Sequence, residues 1–92
     1  MLSIIIPARN ESDNLKDILN YFRKGLEGIN FEVLLINDFS DDDTFQKAKN
    51  IFSSHQNFKV FNNYKKGLGG AINLGIEKSS GTKVSIMMAD LS

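Results

Sequence analysis

Residues 31–44 read Phe-Glu-Val-Leu-Leu-Ile-Asn-Asp-Phe-Ser-Asp-Asp-Asp-Thr, an apolar run that passes directly into an acidic turn. The run does not alternate with polar residues, which is typical of a strand covered on both faces in a parallel sheet. Three further runs, at residues 2–6, 58–61 and 84–88, share this composition. The sequence therefore predicts four buried, parallel strands.

Helical patterns separate these runs. Apolar or small residues recur at a spacing of three or four in three groups: Leu15, Ile18, Leu19, Phe22 and Leu26; Phe45, Ala48, Ile51 and Phe52; Leu68, Ala71, Ile72, Gly75 and Ile76. Alternation of strands and helices implies right-handed crossovers. We therefore expect an α/β protein with a Rossmann-like, three-layer α/β/α architecture and a mainly parallel sheet of about four strands.

The composition excludes several classes of function. The 92 residues form one small domain or part of one, and 11 basic residues balance 11 acidic ones, so nothing favours nucleic-acid binding. Cysteine is absent and His55 is the single histidine, which excludes thiolate and multi-histidine metal sites. The longest apolar runs, about five residues, are far shorter than the ~20 of a membrane span. No basic region precedes the first strand, so we expect no signal peptide and a cytoplasmic protein.

Candidate functional residues follow the strands, because ligands of parallel sheets bind at the carboxyl ends of the strands. Four segments, residues 7–11, 37–43, 62–70 and 89–92, should therefore share one rim. Pro7 is expected to end the ladder, and Asn10 or Ser12 to cap the first helix. This turn has two interpretations, a plain strand-to-helix connection or one wall of a nucleotide pocket in which the Glu11 region faces a base.

The acidic turn after the second strand combines capping with a candidate site. Ser40 or Asp41 is expected to cap the second helix. Asp38 precedes the turn and is not needed for capping, so its carboxylate could accept hydrogen bonds from a base or ribose, or meet a cation. An EF-hand calcium loop does not fit, because Asp43 and Lys49 occupy its glycine and glutamate positions.

Glycines at positions 67, 69 and 70 precede the third helix beside Lys65 and Lys66. Such glycines let backbone N–H groups approach a phosphate, but tight packing of the helix on the sheet explains them equally well. The sequence is neither a Walker A loop nor a dinucleotide fingerprint. Asp90 in the fourth segment is either a metal ligand or a plain strand-end residue, and Met87 and Met88 are expected in the core.

Together these segments resemble the N-terminal half of family 2 glycosyltransferases with the GT-A fold. The resemblance covers essentially the whole chain and rests on the ordered set of segments at residues 4–11, 37–44, 67–75, 80–81 and 88–92. The ending Ala-Asp-Leu-Ser is most similar to the dolichyl-phosphate mannose synthase branch, whose members transfer a sugar from a nucleotide to a polyprenyl phosphate.

The resemblance implies a role for each matching residue. The donor site would comprise Pro7, Ala8, Asn10 and Glu11 beside the nucleoside; Asp38 and Ser40 near the base; Lys66, Gly67, Gly69, Gly70 and Asn73 near the ribose and diphosphate; and Ala89 and Asp90. Asp90 matches the last aspartate of an Asp-X-Asp motif and would be the metal ligand, for Mg²⁺ or Mn²⁺. The implied partners are a UDP- or GDP-sugar and a polyprenyl-phosphate or glycan acceptor.

The chain departs from the family pattern at three positions. Met88 stands at the first aspartate of the motif, and a thioether is a poor ligand for a hard cation. Asn37 replaces a common aspartate, and Phe39 replaces a common glycine.

We expect residues 1–92 to be a single partial domain, the donor half of an inverting, metal-dependent enzyme. The acceptor half, the catalytic base and any membrane element would lie beyond Ser92, and the complete protein could work at the cytoplasmic face of a membrane. The isolated chain should be inactive and should self-associate through an open sheet edge. The alternatives are a non-catalytic nucleotide-binding or interaction module and, less favoured, a receiver-like or flavodoxin-like domain.

Overall fold

Four parallel strands form one sheet in the order β3-β2-β1-β4 in the computed structural model, which describes residues 1–89. The elements are β1 (Leu2–Ala8), a 3₁₀ turn (Ser12–Asn14), α1 (Leu15–Gly25), β2 (Phe31–Asn37), α2 (Thr44–Phe52), β3 (Phe58–Asn62), α3 (Leu68–Lys78) and β4 (Lys83–Ile86). Ile5 in β1 lies opposite Leu34 of β2 and Ile86 of β4. The predicted order of elements is confirmed. None of these helices is long and apolar enough to cross a bilayer.

Helices cover both faces of the sheet. On one face, α1 and α2 pack on alternate strand residues such as Ile4, Ile6 and Leu35. On the other, α3 packs on a smaller cluster that includes Ile5 and Ile36. Because alternate residues of a strand point to opposite faces, the unbroken apolar runs feed both clusters. The predicted three-layer α/β/α architecture is therefore confirmed.

The buried face of α3 matches the prediction only in part. Ala71, Leu74 and Gly75 are buried, whereas Leu68 and Ile76 are about half exposed. A Cβ on Gly75 would lie only 2.4 Å from Cγ2 of Ile5, so this helix contacts the sheet through its small residues. Leu68 and Ile76, which were predicted to lie on the same face as these small residues, lie on the solvent side of the helix.

Strand β4 is exposed, contrary to the prediction that it is covered on both faces. It is an edge strand, and within residues 1–89 nothing pairs with its outer side. Val84 and Ile86 are 44% and 48% exposed. Met88 is likewise exposed rather than in the core, whereas Met87 packs against the cluster under α1.

Pro7 lies inside β1, opposite Ile36, and does not end the strand as predicted. Ala8 still accepts a hydrogen bond from the backbone N–H of Asp38 on the β2 side, at 2.8 Å. On the β4 side, the final bond runs from the N–H of Met87 to the carbonyl of Ile5. The backbone N–H and C=O groups of odd-numbered residues in β1 point towards β4, and those of even-numbered residues point towards β2. The missing N–H of Pro7 therefore ends pairing with β4 only.

Candidate functional site

An open pocket of about 260 Å³ lies at the carboxyl ends of β1 and β2 and beside the segment that follows β4. Its lining consists of Pro7, Ala8, Arg9, Glu11, Asp38, Leu68, Met88 and Ala89. The strand order reverses between β1 and β4, and a crevice at such a switch point is the usual ligand site of an open parallel sheet. The pocket thus brings together five of the residues expected from the sequence: Pro7, Ala8, Glu11, Asp38 and Ala89.

Two residues with left-handed backbone shape the rim of the pocket. Asn10 has φ 56° and Phe39 has φ 55°, and neither is glycine. Asparagine tolerates this conformation, whereas a bulky side chain such as phenylalanine adopts it only under strain. Glycine, which the family resemblance leads one to expect at position 39, would turn the chain there without strain. Strained residues of this kind cluster at functional sites.

Hydrogen bonds of Asn10 and Ser40 connect the turn after β1 to the turn after β2. The backbone N–H of Asn10 donates to Oγ of Ser40 at 3.0 Å, and the N–H of Asp41 donates to Oδ1 of Asn10 at 2.7 Å. Oγ of Ser40 also donates to Oδ1 of Asn37 at 2.5 Å. Both residues lie outside the pocket lining. The N-cap of α1 is Asn14, and no side chain in the described part of the chain caps this helix, so the predicted capping by Asn10 or Ser12 is wrong.

The acidic turn is stabilised by Asp42 rather than by the predicted caps, Ser40 and Asp41. Oδ1 of Asp42 accepts hydrogen bonds from the backbone N–H of Thr44, at 2.9 Å, and from the Thr44 hydroxyl. Hydrogen bonds from Thr44, and then from Ser12, lower the pKa of Asp42 below its usual value. Oγ1 of Thr44 also accepts the N–H of Glu11 at 3.0 Å, so this cluster fixes the turn on which Glu11 reaches the pocket.

Asp38 is the buried acid of the site. The residue is only 9% exposed, and Oδ1 accepts two hydrogen bonds of 3.0 Å, from Nδ2 of Asn63 and from the backbone N–H of Gly67. Oδ2 accepts none from the part of the chain described, residues 1–89. The contacts of Oδ1 fix the carboxylate in place, and Oδ2 remains available to a ligand in the pocket.

Gly67 precedes α3, whereas Gly69 and Gly70 lie in its first turn rather than before it as predicted. The backbone requires glycine at two of these three positions. Gly67 has φ 118°, a conformation that other residues rarely adopt. A Cβ on Gly70 would lie 2.1 Å from the carbonyl oxygen of Lys65. Gly69 has nothing within 4 Å of the place of a Cβ, so neither φ nor space requires glycine there.

The remaining expected residues lie elsewhere. Lys66, Gly69 and Asn73 are exposed and lie outside the lining, as does Gly70, and Gly67 contacts Asp38 without lining the pocket. Asp90 lies outside the described residues. Sequence reasoning did not select four residues: Arg9, Leu68 and Met88 in the lining, and the buried amide of Asn63. All four lie in or next to the predicted rim segments, which was the available signal.

Residues 1–89 do not by themselves form a metal centre. Among them there is no group of three His, Cys, Asp or Glu side chains placed to hold an ion. Asp38 and Glu11 line the pocket, but two donors already bind Oδ1 of Asp38, and the thioether of Met88 does not suit a hard cation. The metal ligand expected from the sequence, Asp90, stays a prediction.

Known proteins are similar to this chain in both sequence and fold. The chain is 33% identical over 90 residues to dolichol-phosphate mannosyltransferase of Pyrococcus furiosus. The aligned region covers 98% of this chain and 26% of that protein. S. aureus TarS in complex with UDP superimposes with a TM-score of 0.81 at 26% identity, over 97% of this chain and 27% of that one. The chain thus spans about a quarter of the length of these relatives.

A mannosyltransferase of Pyrobaculum calidifontis, PcManGT in complex with GDP-Man and Mn²⁺, has a TM-score of 0.80 at 20% identity, over 97% of this chain and 27% of that one. At that identity the likeness concerns the fold alone. These neighbours are GT-A glycosyltransferases, so the GT-A fold predicted from the sequence is confirmed. The model of the family described as "Glycosyl transferase family 2" matches residues 3–92. A match over nearly the entire sequence, together with the shared fold, shows that the chain belongs to glycosyl transferase family 2.

Proposed function

We propose that this chain is the donor-binding part of a glycosyltransferase that transfers a sugar from a UDP- or GDP-sugar. The observation that carries the proposal is the pocket at the switch point between β1 and β4, with the fixed carboxylate of Asp38 in its wall. The nucleotides bound in the TarS and PcManGT structures support a nucleotide sugar as the ligand class.

The chemistry of the pocket suits a nucleoside. Pro7, Ala8, Leu68 and Met88 supply apolar surface against which the face of a base or ribose can pack. Oδ2 of Asp38 is an acceptor for a ring N–H, and a charged acceptor makes stronger hydrogen bonds than a neutral one. Arg9 lies in the same lining, and a guanidinium is a natural partner for a phosphate.

Metal, acceptor and reaction belong to this proposal as well. Asp90 would hold Mg²⁺ or Mn²⁺ against the donor diphosphate, where the cation neutralises negative charge on the departing nucleotide. The acceptor would be a polyprenyl phosphate or a glycan, in line with the name of the Pyrococcus relative. Transfer would invert the anomeric carbon, and we expect the isolated 92 residues to bind a donor without turning it over.

Calorimetric titration with UDP and with GDP, each with and without Mn²⁺, tests donor binding. We expect weak binding that Mn²⁺ strengthens. Asp38→Ala should weaken it in both conditions, because the acceptor for the base is lost, whereas Asp90→Ala should matter only with the metal present. Asp13→Ala, at an exposed site outside the pocket, is the matched control. Absence of heat under every condition would contradict donor binding by this chain.

We also propose that the open edge of β4 lets the isolated chain self-associate. The support is an unpaired edge whose Val84 and Ile86 are nearly half exposed and flank Ser85 in an uncovered strand. Sedimentation velocity across a concentration series should show association that Ile86→Lys reduces. Ile29→Lys, at an equally exposed isoleucine distant in sequence from β4, should leave it unchanged. A monomeric wild type at high concentration would contradict this proposal.

A further inference from the structure

Within residues 1–89, Asn63 makes more hydrogen bonds than any other side chain around the pocket. It is 6% exposed and follows β3, where its backbone N–H donates to the carbonyl of Asn37 at 2.9 Å. Its Nδ2 donates to Oδ1 of Asp38 at 3.0 Å, to the carbonyl of Lys65 at 2.7 Å and to that of Gly67 at 3.4 Å. Its Oδ1 accepts the N–H of Lys65 at 3.3 Å. One amide therefore connects the end of β2 to the glycine turn.

These contacts determine what Asp38 can offer a ligand. A carboxylate oxygen has two lone pairs, and both lone pairs of Oδ1 are engaged, by Asn63 and by Gly67. Oδ2 alone is free of donors from residues 1–89. The pocket thus presents one acceptor oxygen rather than the two parallel ones that a bidentate partner requires.

We infer that the pocket prefers uracil over guanine and that Asn63 is the positioning residue that sets this preference. The inference rests on the proposed donor site and names its base. Uracil presents a single ring N–H between two carbonyls, which one carboxylate oxygen satisfies. Guanine presents an N–H and an adjacent amino group, a pair that a carboxylate meets with both oxygens. With Oδ1 engaged, one guanine donor would be desolvated without a partner.

Titration with UDP and GDP isolates the contribution of the base to affinity, because the two nucleotides carry the same diphosphate. Wild type should bind UDP about tenfold more tightly, the effect of one unsatisfied polar group. Asn63→Ala should weaken UDP binding and reduce the UDP-to-GDP ratio towards one, because the freed lone pair of Oδ1 becomes available to guanine. Asn20→Ala, at an exposed position of α1, should leave the ratio unchanged.

Asn63→Asp should make nucleotide binding depend on pH, which a purely structural role of Asn63 would not do. An ionised carboxyl at position 63 cannot donate to Asp38 and repels it, whereas a protonated one restores the donor. Binding of UDP-glucose, whose phosphates have no ionisation near neutral pH, should therefore strengthen as pH falls in this variant alone. The other charged residues around the pair are Arg9 and Glu11 in the lining and Lys65 and Lys66 in the turn after Asn63. They are the same in wild type and variant, so wild type is the control.

The outcomes separate this inference from the proposed function. If wild type binds neither nucleotide, the proposed donor site fails and the inference fails with it. If both bind and GDP equals or exceeds UDP, only the preference for uracil is overturned. A preference for UDP that persists in Asn63→Ala, or a flat pH profile for Asn63→Asp, overturns the role of Asn63.

Discussion

Asp38 and Gly67 are joined by a 3.0 Å hydrogen bond from the backbone N–H of Gly67 to Oδ1 of Asp38. This contact connects the end of β2 to the start of α3 across 29 residues of sequence. It also explains why Asp38 is nearly buried although it carries a charge, because hydrogen bonds from fixed donors offset the loss of water. The site is therefore preorganised by the same contacts that hold the rim together.

Asp38→Asn should separate these two roles. The amide oxygen can keep the hydrogen bonds from Gly67 and Asn63, so the free energy of unfolding should change by less than about 1 kcal/mol. The amide nitrogen replaces Oδ2 and donates where the ligand needs an acceptor, so nucleotide affinity should fall at least about tenfold. Calorimetry and urea unfolding measure the two effects. Equal affinity in the variant would mean that Asp38 does not contact the base. Asp17→Asn, at an exposed position of α1, is the control.

Two neighbouring glycines should respond in opposite ways to alanine. Gly70→Ala places a methyl group 2.1 Å from a backbone carbonyl, so we expect a loss of stability of roughly 1–3 kcal/mol and a displaced turn. Gly69→Ala has open space and lies within α3, so it should stabilise the protein by about 0.5–1 kcal/mol. Urea unfolding of the two variants is the measurement. Similar effects at both positions would show that the first turn of α3 is not closely packed against Lys65.

Phe39→Gly should make the protein more stable. The left-handed conformation of Phe39 costs about 1–2 kcal/mol for a residue with a Cβ, and its exposed ring returns little by burial. After the entropy that glycine loses on folding, a gain of about 0.5–1 kcal/mol remains. Asn10→Gly, at almost the same φ, removes the hydrogen bond to Asp41 and should not stabilise. Thermal unfolding of the two variants distinguishes these outcomes, and a destabilised Phe39→Gly would contradict the strain.

Glu32 should make folding sensitive to acid. The residue is 2% exposed, and its carboxylate accepts hydrogen bonds from Ser3, Ser80 and Lys59. Burial raises its pKa, but these hydrogen bonds and the charge of Lys59 outweigh burial, and the net pKa is lowered. A carboxyl with a lowered pKa in the folded state contributes stability above its unfolded pKa and loses it as pH falls through the folded value.

Glu32→Gln should therefore be less stable than wild type at about pH 7, and the difference in free energy should shrink as pH falls below about 4.5. Urea unfolding of both proteins at about pH 7 and below about pH 4.5 measures this difference in the free energy of unfolding. Asp43→Asn, at an exposed position, controls for general charge effects. A difference between wild type and Glu32→Gln that does not change with pH would contradict the ionised state of Glu32.

The sequence predicted the fold where local pattern and packing agree. The apolar runs of β1 and β2 are buried on both faces as expected, because helices cover both. The run of β4 has the same composition, but no element in residues 1–89 covers it, and hydrophobicity does not reveal which neighbour is present. In α3 the prediction is correct for Ala71 and Gly75, which are buried and permit close contact with the sheet. It is wrong for Leu68 and Ile76, because the helix approaches the sheet through its small residues and leaves these larger ones about half exposed.

The site was predictable to the level of segments rather than contacts. Topology places the ends of parallel strands at one rim, so Pro7, Ala8, Glu11, Asp38 and Ala89 could be grouped. The capping predictions failed because the side chains of Asn10 and Ser40 bind across to another turn, about 30 residues away in sequence. Asn63 was not selected for the same reason, since its partner Asp38 is 25 residues distant.

Amide chemical-shift mapping by NMR during a UDP titration tests most directly whether the pocket between β1 and β4 is the nucleotide site. The largest changes should fall on Ala8, Glu11, Asp38 and Gly67, around the carboxylate. The amides of His55 and Gln56, which line a separate pocket beside α2, should not move. Changes that cluster at His55 and Gln56 and spare Asp38 and Gly67, or no change at saturating UDP, would contradict the account.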